Sequence, residues 1–391
     1  MRIGVDATCW VNERGYGRFT RELVTAMVAL APDDQFVCFL DNRSAGAFVL
    51  QAPNLRSVIV PLRESPTVAA SASGNRRIRD MLRMTRAVGA EPLDVFFSPS
   101  VYTYYPLPRS LAAVVTVHDV IPERFPKLTF PSTRARLYWW MKMRLALFQA
   151  RLVLTVSDRA ARDIGRIHGI SPDRLRVALE APSAAYHPSA SADISGAAER
   201  AGLPPGARWF IYVGGFNPHK NVPDIVRAHA ALARELGDAA PQLLLVGTLD
   251  RDVFYGDASA AQQAIAVAGS ESLVKWTGFV DDAELRHLHS GALALVLVSE
   301  SEGFGLPAVE AAACGTPVIA TTESPLPDLL AGGGIFIRPG DDVALLGAMR
   351  TMATDEAARR AFGAKALAAA GALSWERGAS AALAAIRQAV A

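Results

Sequence analysis

The chain has 391 residues, 51% of them hydrophobic and 20% charged, which suits two or three folded domains and disfavours intrinsic disorder. Residues 1–200 contain 26 Lys and Arg against 18 Asp and Glu, whereas residues 201–391 contain 14 against 20. This difference in charge indicates two domains with different partners, or simple drift in an arginine-rich composition. The three cysteines are isolated from one another, which argues against a disulfide framework. The sequence has no signal-peptide pattern and no apolar run of membrane-spanning length, which predicts a cytoplasmic protein.

Short apolar runs alternate with amphipathic stretches along the whole chain. Six strand candidates in the first half are IGVDAT, FVCFL, SVIV, LDVFFS, AVVTVHD and LVLTVS, and six in the second half are WFIYVGG, QLLLVGT, LVKWTGF, LALVLVS, TPVIAT and GIFI. Many are apolar throughout, as parallel strands buried on both faces are. Helical spacing, as at Phe19, Leu23, Met27 and Leu30, fills the gaps. The pattern predicts an α/β protein with two doubly wound parallel sheets that face a central ligand-binding cleft.

The alternation breaks between residues 182 and 208, where Ser, Ala, Gly and Pro dominate. This break predicts a first domain over residues 1–185, a linker over 186–207 and a second domain over 208–373. We expect the last helix, over 374–391, to cross back to the first domain.

A basic and aromatic segment lies in the first half. RARLYWWMKMRLALFQAR, residues 134–151, has five basic residues and no acid, and a second basic run extends from Arg76 to Arg86. Charge of this kind next to aromatic rings is typical of a helix that contacts anionic lipid, here at the inner face of the plasma membrane. A core helix with a solvated basic face is the alternative. Nucleic acid is a poorer partner, because the second half is acidic and contains no binding motif.

The stretch SESEGFGLPAVEAAACGTPVIA, residues 299–320, follows a buried strand candidate. Residues 299–305 form a glycine-containing loop, and Pro307 suits the first turn of a helix, whose unpaired N–H groups can bind an anion or sugar oxygens. Glu302 in the loop can accept hydrogen bonds from hydroxyls, and Glu310 is favourable in the early turns of the helix. Both acids can bind one hydroxyl-rich ligand such as a nucleotide sugar; alternatively, Glu310 only complements the helix and Glu302 is a solvated loop acid.

The run EGFGLPAVEA, with seven residues between its two glutamates, resembles the E-x7-E signature of retaining glycosyltransferases of family four, which have the GT-B fold. Six more segments match that family in order: GYGR from Gly15, TVHD from Thr116, TVS from Thr155, GGFNPHKN from Gly214, WTGFV from Trp276 and SWE from Ser374. The resemblance therefore covers almost the whole chain.

The resemblance implies a role for the loop at residues 214–221 in binding the donor diphosphate. Lys220 would hold the diphosphate, with Gly215 and His219 beside it. Family members usually have arginine next to the lysine, where this chain has His219, and often a further arginine where it has Phe216. A protonated His219, or an arginine from elsewhere, would supply the second positive charge.

The resemblance also assigns the remaining site residues. Glu302 would contact hydroxyls of the transferred sugar, Glu310 would bind the ribose hydroxyls, and His118 would lie near the reaction centre. The other expected donor-binding residues are Gly15 and Gly17, which would admit a phosphate or the acceptor, Phe279 at the nucleobase, and the turn formed by Gly303, Phe304, Gly305 and Leu306.

The reaction implied by the resemblance is a front-side displacement without a protein base, in which Lys220 and helix amides stabilise the leaving diphosphate. We expect no cofactor and no metal. Asp250-Arg251-Asp252 matches a D-x-D metal pattern, but it follows a strand in the second domain, which is not the expected context. His287 and His289 are two residues apart and would not share a helix face.

The segment HDVIP, residues 118–122, and the phosphate loop resemble bacterial mannosyltransferases that use GDP-mannose to build polysaccharides or glycolipids on a free or lipid-linked saccharide. A UDP-sugar donor is the alternative. A sugar-nucleotide epimerase of the same fold has no need of the E-x7-E arrangement, and a two-lobed sugar-binding protein is disfavoured by the missing export signal. A dinucleotide enzyme is disfavoured by Thr20 at its third glycine position.

Overall fold

The computed structural model describes residues 1–12, 15–66, 77–248 and 258–391. These residues form two compact units, one made of Met1–Glu180 with Ser374–Ala391 and the other of Ala181–Leu373. Each unit is built on one parallel sheet, as the alternation of apolar and amphipathic stretches predicts. In the described part of the chain, no helix is both long enough and apolar enough to span a membrane.

The first unit contains a seven-stranded sheet of order β3-β2-β1-β4-β5-β6-β7, with every neighbouring pair parallel. Its strands are β1 Arg2–Asp6, β2 Gln35–Leu40, β3 Leu55–Ile59, β4 Val95–Ser98, β5 Ala112–Thr116, β6 Leu152–Thr155 and β7 Leu175–Val177. All six predicted strands are present. Strand β7 was not predicted, because a half-buried edge strand of three residues has too short a pattern to identify.

The helices of the first unit are α1 Gly15–Leu30, α2 Asn42–Ala47, α3 Ile78–Gly89, α4 Ile121–Arg124, α5 Pro126–Thr129, α6 Thr133–Gln149, α7 Asp158–His168 and the final helix, α16 Trp375–Val390. In α1 the predicted apolar face is confirmed at Phe19, Leu23 and Met27, which are fully buried. Leu30, the last residue of the helix, differs, because it is 44% exposed.

The second unit contains a six-stranded parallel sheet of order β10-β9-β8-β11-β12-β13. Its strands are β8 Trp209–Val213, β9 Gln242–Val246, β10 Val274–Gly278, β11 Leu295–Leu297, β12 Val318–Thr321 and β13 Gly334–Ile337, and all six were predicted. Its helices are α8 Ser191–Arg200, α9 Val222–Leu236, α10 Ser259–Ala268, α11 Asp282–Gly291, α12 Leu306–Ala313, α13 Leu326–Leu329, α14 Asp342–Thr354 and α15 Glu356–Ala370. Short 3-10 turns occupy Pro172–Arg174, Pro218–Lys220 and Gly237–Ala239.

The segment expected to be a linker is instead part of the second unit and contains α8. Ala197 on this helix is fully buried, and Ile194 approaches Gly291 of α11 so closely that a Cβ there would lie 2.4 Å from it. Upstream, the hydroxyl of Tyr186 donates a 2.7 Å hydrogen bond to Asp282. The Ser and Ala residues that suggested a linker are small enough for close helix packing, so composition alone was misleading here.

Candidate active site

The topology of the second sheet identifies where a ligand site is expected. Strands β8 and β11 lie next to each other in the sheet. The chain continues from β8 to β9, toward one edge of the sheet, and from β11 to β12, toward the other edge. Ligands of doubly wound sheets bind beyond the carboxyl ends of the strands at this switch point. The loops that follow β8 and β11 begin at Gly214 and Val298, and they contain most of the predicted donor-binding residues.

Lys220 and Glu302, predicted to bind one ligand, are in direct contact. The Lys220 ammonium donates a 2.7 Å hydrogen bond to Oε1 of Glu302, and the side chains are only 19% and 10% exposed. The Ser299 hydroxyl donates to the same oxygen at 2.6 Å. A cation suited to a diphosphate therefore lies against an acid suited to sugar hydroxyls, and in this structure the two charges neutralise each other.

A second set of hydrogen bonds joins the same two loops. Asn221 has a positive φ of 54°, which is uncommon for a residue other than glycine. Its side-chain amide donates to the Val298 carbonyl at 3.2 Å and to Glu300 Oε1 at 3.0 Å. The Glu300 amide donates to the His219 carbonyl at 2.8 Å. Glu300 was not predicted from the sequence, although the Asn221 that follows the predicted lysine was a signal of a special turn.

The surroundings of His219 disfavour a positive charge on its ring. The residue is buried, and burial, together with the charge of Lys220, lowers the pKa of its imidazole to about 3. Phe216, at a position that is often arginine in the family, is also buried, with its ring 4.8 Å from that of Trp276. Desolvation strongly disfavours the imidazolium, which favours the alternative that an arginine from elsewhere supplies the second positive charge. The role of His219 beside the diphosphate stays a prediction. Gly215 lies in the same turn, and its carbonyl accepts a hydrogen bond from the Tyr212 hydroxyl.

The glycine turn before α12 has the predicted geometry of a helix N-terminus. Gly305 occupies the N-cap position with a φ of 93°, which a residue with a Cβ adopts only with strain. Phe304 and Leu306 are buried on either side of it, directly after Gly303. Glu310 lies one turn further along α12 and is only 4% exposed, so it is not a solvated surface acid.

Phe279 lies apart from these residues in the sequence, directly after β10. It follows Gly278, whose φ is 71°, and is 57% exposed. An exposed aromatic ring after a strand end can stack on a planar ligand, but no described contact joins Phe279 to Lys220 or Glu302. Its predicted place at the nucleobase stays a prediction.

In the first unit, both ring nitrogens of His118 face protein groups. Nε2 lies 2.9 Å from the Pro99 carbonyl, which can only accept, so this nitrogen carries a proton. Nδ1 lies 3.6 Å from Oε1 of Glu180, a buried acid that the sequence analysis missed. Burial raises the pKa of the Glu180 carboxyl, and the neighbouring His118 side chain opposes this shift. The geometry favours a positioning role for His118, and its place near the reaction centre stays a prediction.

Gly15 and Gly17 begin α1. A Cβ on Gly17 would lie 1.9 Å from the backbone oxygen of Asn12, so glycine is required there by the protein itself. The Arg21 guanidinium secures the same turn by donating to the carbonyls of Trp10 and Asn12. The close approach predicted for a phosphate or an acceptor is thus made, in this structure, by the chain's own backbone.

Metal-ligand geometry is not found among the described residues, where no group of three or more His, Cys, Asp or Glu side chains converges. Asp250 and Asp252 lie outside the described residues. His289 is fully buried, which lowers its pKa to about 3, while His287 contacts the Ser189 hydroxyl at 2.9 Å.

Family models match both halves of the chain. The family described as glycosyl transferase 4-like domain matches residues 14–178, and the family described as glycosyl transferases group 1 matches residues 197–368. Between them these matches include every predicted site residue.

Curated relatives carry related names. The chain is 26% identical over 375 residues to O-antigen chain mannosyltransferase B of Escherichia coli, with 93% of each chain covered. It is 25% identical over 240 residues to O-antigen chain mannosyltransferase RfbU of Salmonella typhimurium, with 61% of this chain and 60% of the relative covered.

Solved structures show the same fold at low sequence identity. Sucrose-phosphate synthase of Thermosynechococcus elongatus matches with a TM-score of 0.77 and 21% identity, covering 99% of this chain and 98% of that one. Anabaena HepE, solved in complex with UDP-glucose, matches with a TM-score of 0.70 and 17% identity, covering 99% and 97%. The two family models, which together span most of the chain, show that it belongs to the group 1 and 4-like glycosyltransferases. The solved structures show that it has the GT-B fold.

Proposed function

We propose that this glycosyltransferase moves mannose from GDP-mannose to a free or lipid-linked saccharide acceptor, with retention of configuration at the anomeric carbon. The observation that carries the proposal is the 2.7 Å contact between Lys220 and Glu302 at the switch point of the second sheet. A single cation at this position suits a diphosphate, and an adjacent acid suits sugar hydroxyls.

The proposed chemistry needs no protein nucleophile. The acceptor oxygen forms its bond to the anomeric carbon on the face from which the diphosphate departs, while the bond between that carbon and the phosphate oxygen breaks. The departing phosphate oxygen takes the proton of the acceptor hydroxyl. Lys220 and the amides at the start of α12 stabilise the negative charge that develops on the diphosphate.

Donor binding in this scheme requires an exchange of partners. Lys220 is paired with Glu302 in this structure, so it must turn at least partly toward the diphosphate when the donor binds. Glu302 is then released to accept hydrogen bonds from the sugar, and Ser299 continues to orient it. The diphosphate and the sugar are thereby recognised together, which favours the intact donor over its fragments.

The mannose donor is supported by the names of the relatives that match this chain, two of which are O-antigen chain mannosyltransferases. A UDP-sugar is the second candidate, because a structural neighbour was solved with UDP-glucose. Thermal stabilisation by GDP, UDP, GDP-mannose and UDP-glucose at equal concentrations separates the two, since a ligand that binds more tightly stabilises the folded state more. A larger shift with GDP-mannose than with any uridine compound is expected.

The reaction itself is tested by incubation with the stabilising donor and a panel of mannose-containing acceptors. We expect release of the nucleoside diphosphate, an α-linked product by proton NMR, and unchanged turnover in a metal chelator. A β-linked product would overturn retention, and loss of turnover in chelator would overturn metal independence. Stabilisation without transfer to any acceptor would instead favour a sugar-binding role.

A further inference from the structure

Helix α6, residues 133–149, has a second apolar face that points away from the first unit. Its inner face is formed by Trp139, Met143, Ala146 and Leu147, which are buried. Five large apolar side chains on the helix are exposed: Leu137 55%, Trp140 55%, Met141 49%, Leu145 40% and Phe148 86%. They recur at three- and four-residue steps and so line one side of the helix. We call these five residues the apolar stripe.

Exposed hydrophobic residues are concentrated in the apolar stripe. One third of the large hydrophobic residues found exposed in the described part of the chain lie in this one helix. Single exposed hydrophobic residues need no explanation, whereas a contiguous patch indicates an interaction site. A core helix with a solvated basic face, which the sequence left open, does not account for it.

The charge around the stripe is basic. No acidic residue stands between Arg124 and Asp158, while six basic residues do. Arg134, Arg136 and Arg144 are exposed, and none forms an ion pair with any described residue. Lys142 belongs to the same basic segment, but its side chain is turned inward: its ammonium donates to the Tyr102 carbonyl at 3.2 Å and lies 4.3 Å from the Trp139 ring.

A groove of about 440 Å³ continues the apolar surface inward from the stripe. Trp140 and Phe148 of the stripe line it, and its other apolar walls include Phe130 and Ile167. The acid among its lining residues, Glu123, is engaged within the protein, because it accepts a 2.7 Å hydrogen bond from the Trp139 indole. The exposed rim is therefore aromatic and basic.

We propose that the apolar stripe, with Arg134, Arg136 and Arg144, docks the first unit on a bilayer of anionic phospholipid. Tryptophan and phenylalanine suit the boundary between headgroups and acyl chains, and arginines on the same surface bind lipid phosphates. A partner protein would fit the aromatic stripe equally well, but the absence of acid over this long segment favours a uniformly anionic surface. The proposal does not depend on the donor or the acceptor of the transfer reaction.

The test is co-sedimentation of the full-length protein with phosphatidylcholine vesicles, with and without phosphatidylglycerol. We expect binding only to the anionic vesicles. Arg134→Glu, Arg136→Glu and Arg144→Glu together should weaken it at least about 100-fold, since each basic residue near such a surface contributes roughly fivefold and the added acids are repelled. Trp140→Ser with Phe148→Ser should weaken it at least tenfold at unchanged charge.

Matched controls come from the second unit. Val267 and Val343 are 82% and 84% exposed, so Val267→Ser with Val343→Ser removes apolar surface elsewhere and should leave binding intact, as should Arg234→Glu. Melting temperature and transfer to a water-soluble acceptor should be unchanged in every variant, which separates this proposal from the proposed function. Binding that survives the serine substitutions would overturn the proposal. A dimer that those substitutions dissociate would also overturn it, assigning the stripe to self-association.

Discussion

Each unit has a polar cluster formed by residues that follow its strands, but the two clusters consist of different groups. In the second unit, after β8 and β11, the cluster centres on Lys220 and Glu302, two opposite charges that neutralise each other. In the first unit, His118 lies between the Pro99 carbonyl after β4 and the buried Glu180 after β7. One cluster is a pair of charged side chains that can change partners, and the other is a histidine held between a backbone carbonyl and a buried acid.

This difference suggests a division of roles. A charged pair that is partly exposed can exchange one partner for a charged ligand at modest cost, because the ligand replaces the lost hydrogen bonds. A histidine whose two nitrogens face buried protein groups cannot do so without leaving those groups unsatisfied. We therefore expect substitutions in the second unit to change ligand binding and transfer, and substitutions in the first unit to change mainly stability and positioning.

The largest expected effect comes from Lys220→Ala. Removing a group that stabilises developing charge typically costs ~10²–10³ in rate, so kcat at saturating donor should fall by about that factor. The measurement is steady-state release of nucleoside diphosphate with intact folding checked by circular dichroism. Lys127→Ala, at an exposed lysine of the first unit, is the matched control and should behave as wild type. Normal turnover of the Lys220 variant would remove this residue from the site.

Glu302→Gln is expected to separate diphosphate binding from sugar transfer. Transfer should fall about 10- to 100-fold, because charge-assisted hydrogen bonds to the sugar hydroxyls are lost. The nucleoside diphosphate alone should bind at least as tightly as to wild type, since Lys220 is no longer neutralised. Isothermal titration with the diphosphate and with the intact donor measures both effects.

The control for this substitution is Glu235→Gln, which removes an exposed acid paired with Arg350 in the same unit and should alter neither quantity. Weaker binding of the diphosphate to the Glu302 variant would contradict the exchange of partners, because it would mean that the acid helps Lys220 rather than competing for it.

Gly17→Ala tests whether the backbone of Asn12 lies against Gly17. The added Cβ would lie 1.9 Å from the Asn12 carbonyl, and a backbone atom cannot move aside as a flexible side chain can. We expect a loss of about 1–3 kcal/mol in the free energy of unfolding, measured by urea denaturation. Gly46→Ala is the matched control: nothing lies within 4 Å of its added Cβ, and a helix gains roughly 0.5–1 kcal/mol from alanine. Equal stability of the two variants would contradict the close approach at Gly17.

The sequence alone was enough to predict the strands of both sheets and to identify Lys220 and Glu302 as candidate site residues. It was not enough to predict which residues far apart in the sequence come into contact. The strands were predictable because their apolar runs are local, and Lys220 and Glu302 because each lies in a recognisable loop. Glu180 follows a three-residue edge strand with no motif around it, so only the fold reveals that it meets His118. Composition likewise identified segment 134–151, but only the packing of α6 shows that Lys142 points inward while the apolar stripe points out.

The smallest expected effect concerns the proton between His118 and Glu180. Nε2 donates to the Pro99 carbonyl, so a neutral imidazole presents Nδ1 as an acceptor, to which a protonated Glu180 can donate. Glutamine can donate from the same place, and Glu180→Gln should keep transfer within about threefold of wild type. Glu180→Ala leaves Nδ1 buried without a partner and should lose about tenfold. Activity of the two variants in parallel measures the difference.

The pH dependence of stability gives an independent check on the same proton. Because burial raises the pKa of Glu180, its stabilising contribution is fully present below the ordinary carboxyl pKa and is lost as pH rises through the raised value. Glu180→Gln has no such group, so its free energy of unfolding relative to wild type should increase as pH rises from mildly acidic to alkaline. Urea titrations of both proteins across that range measure the difference. A difference that stays flat or declines with rising pH would mean that Glu180 is already charged in the folded state at mildly acidic pH.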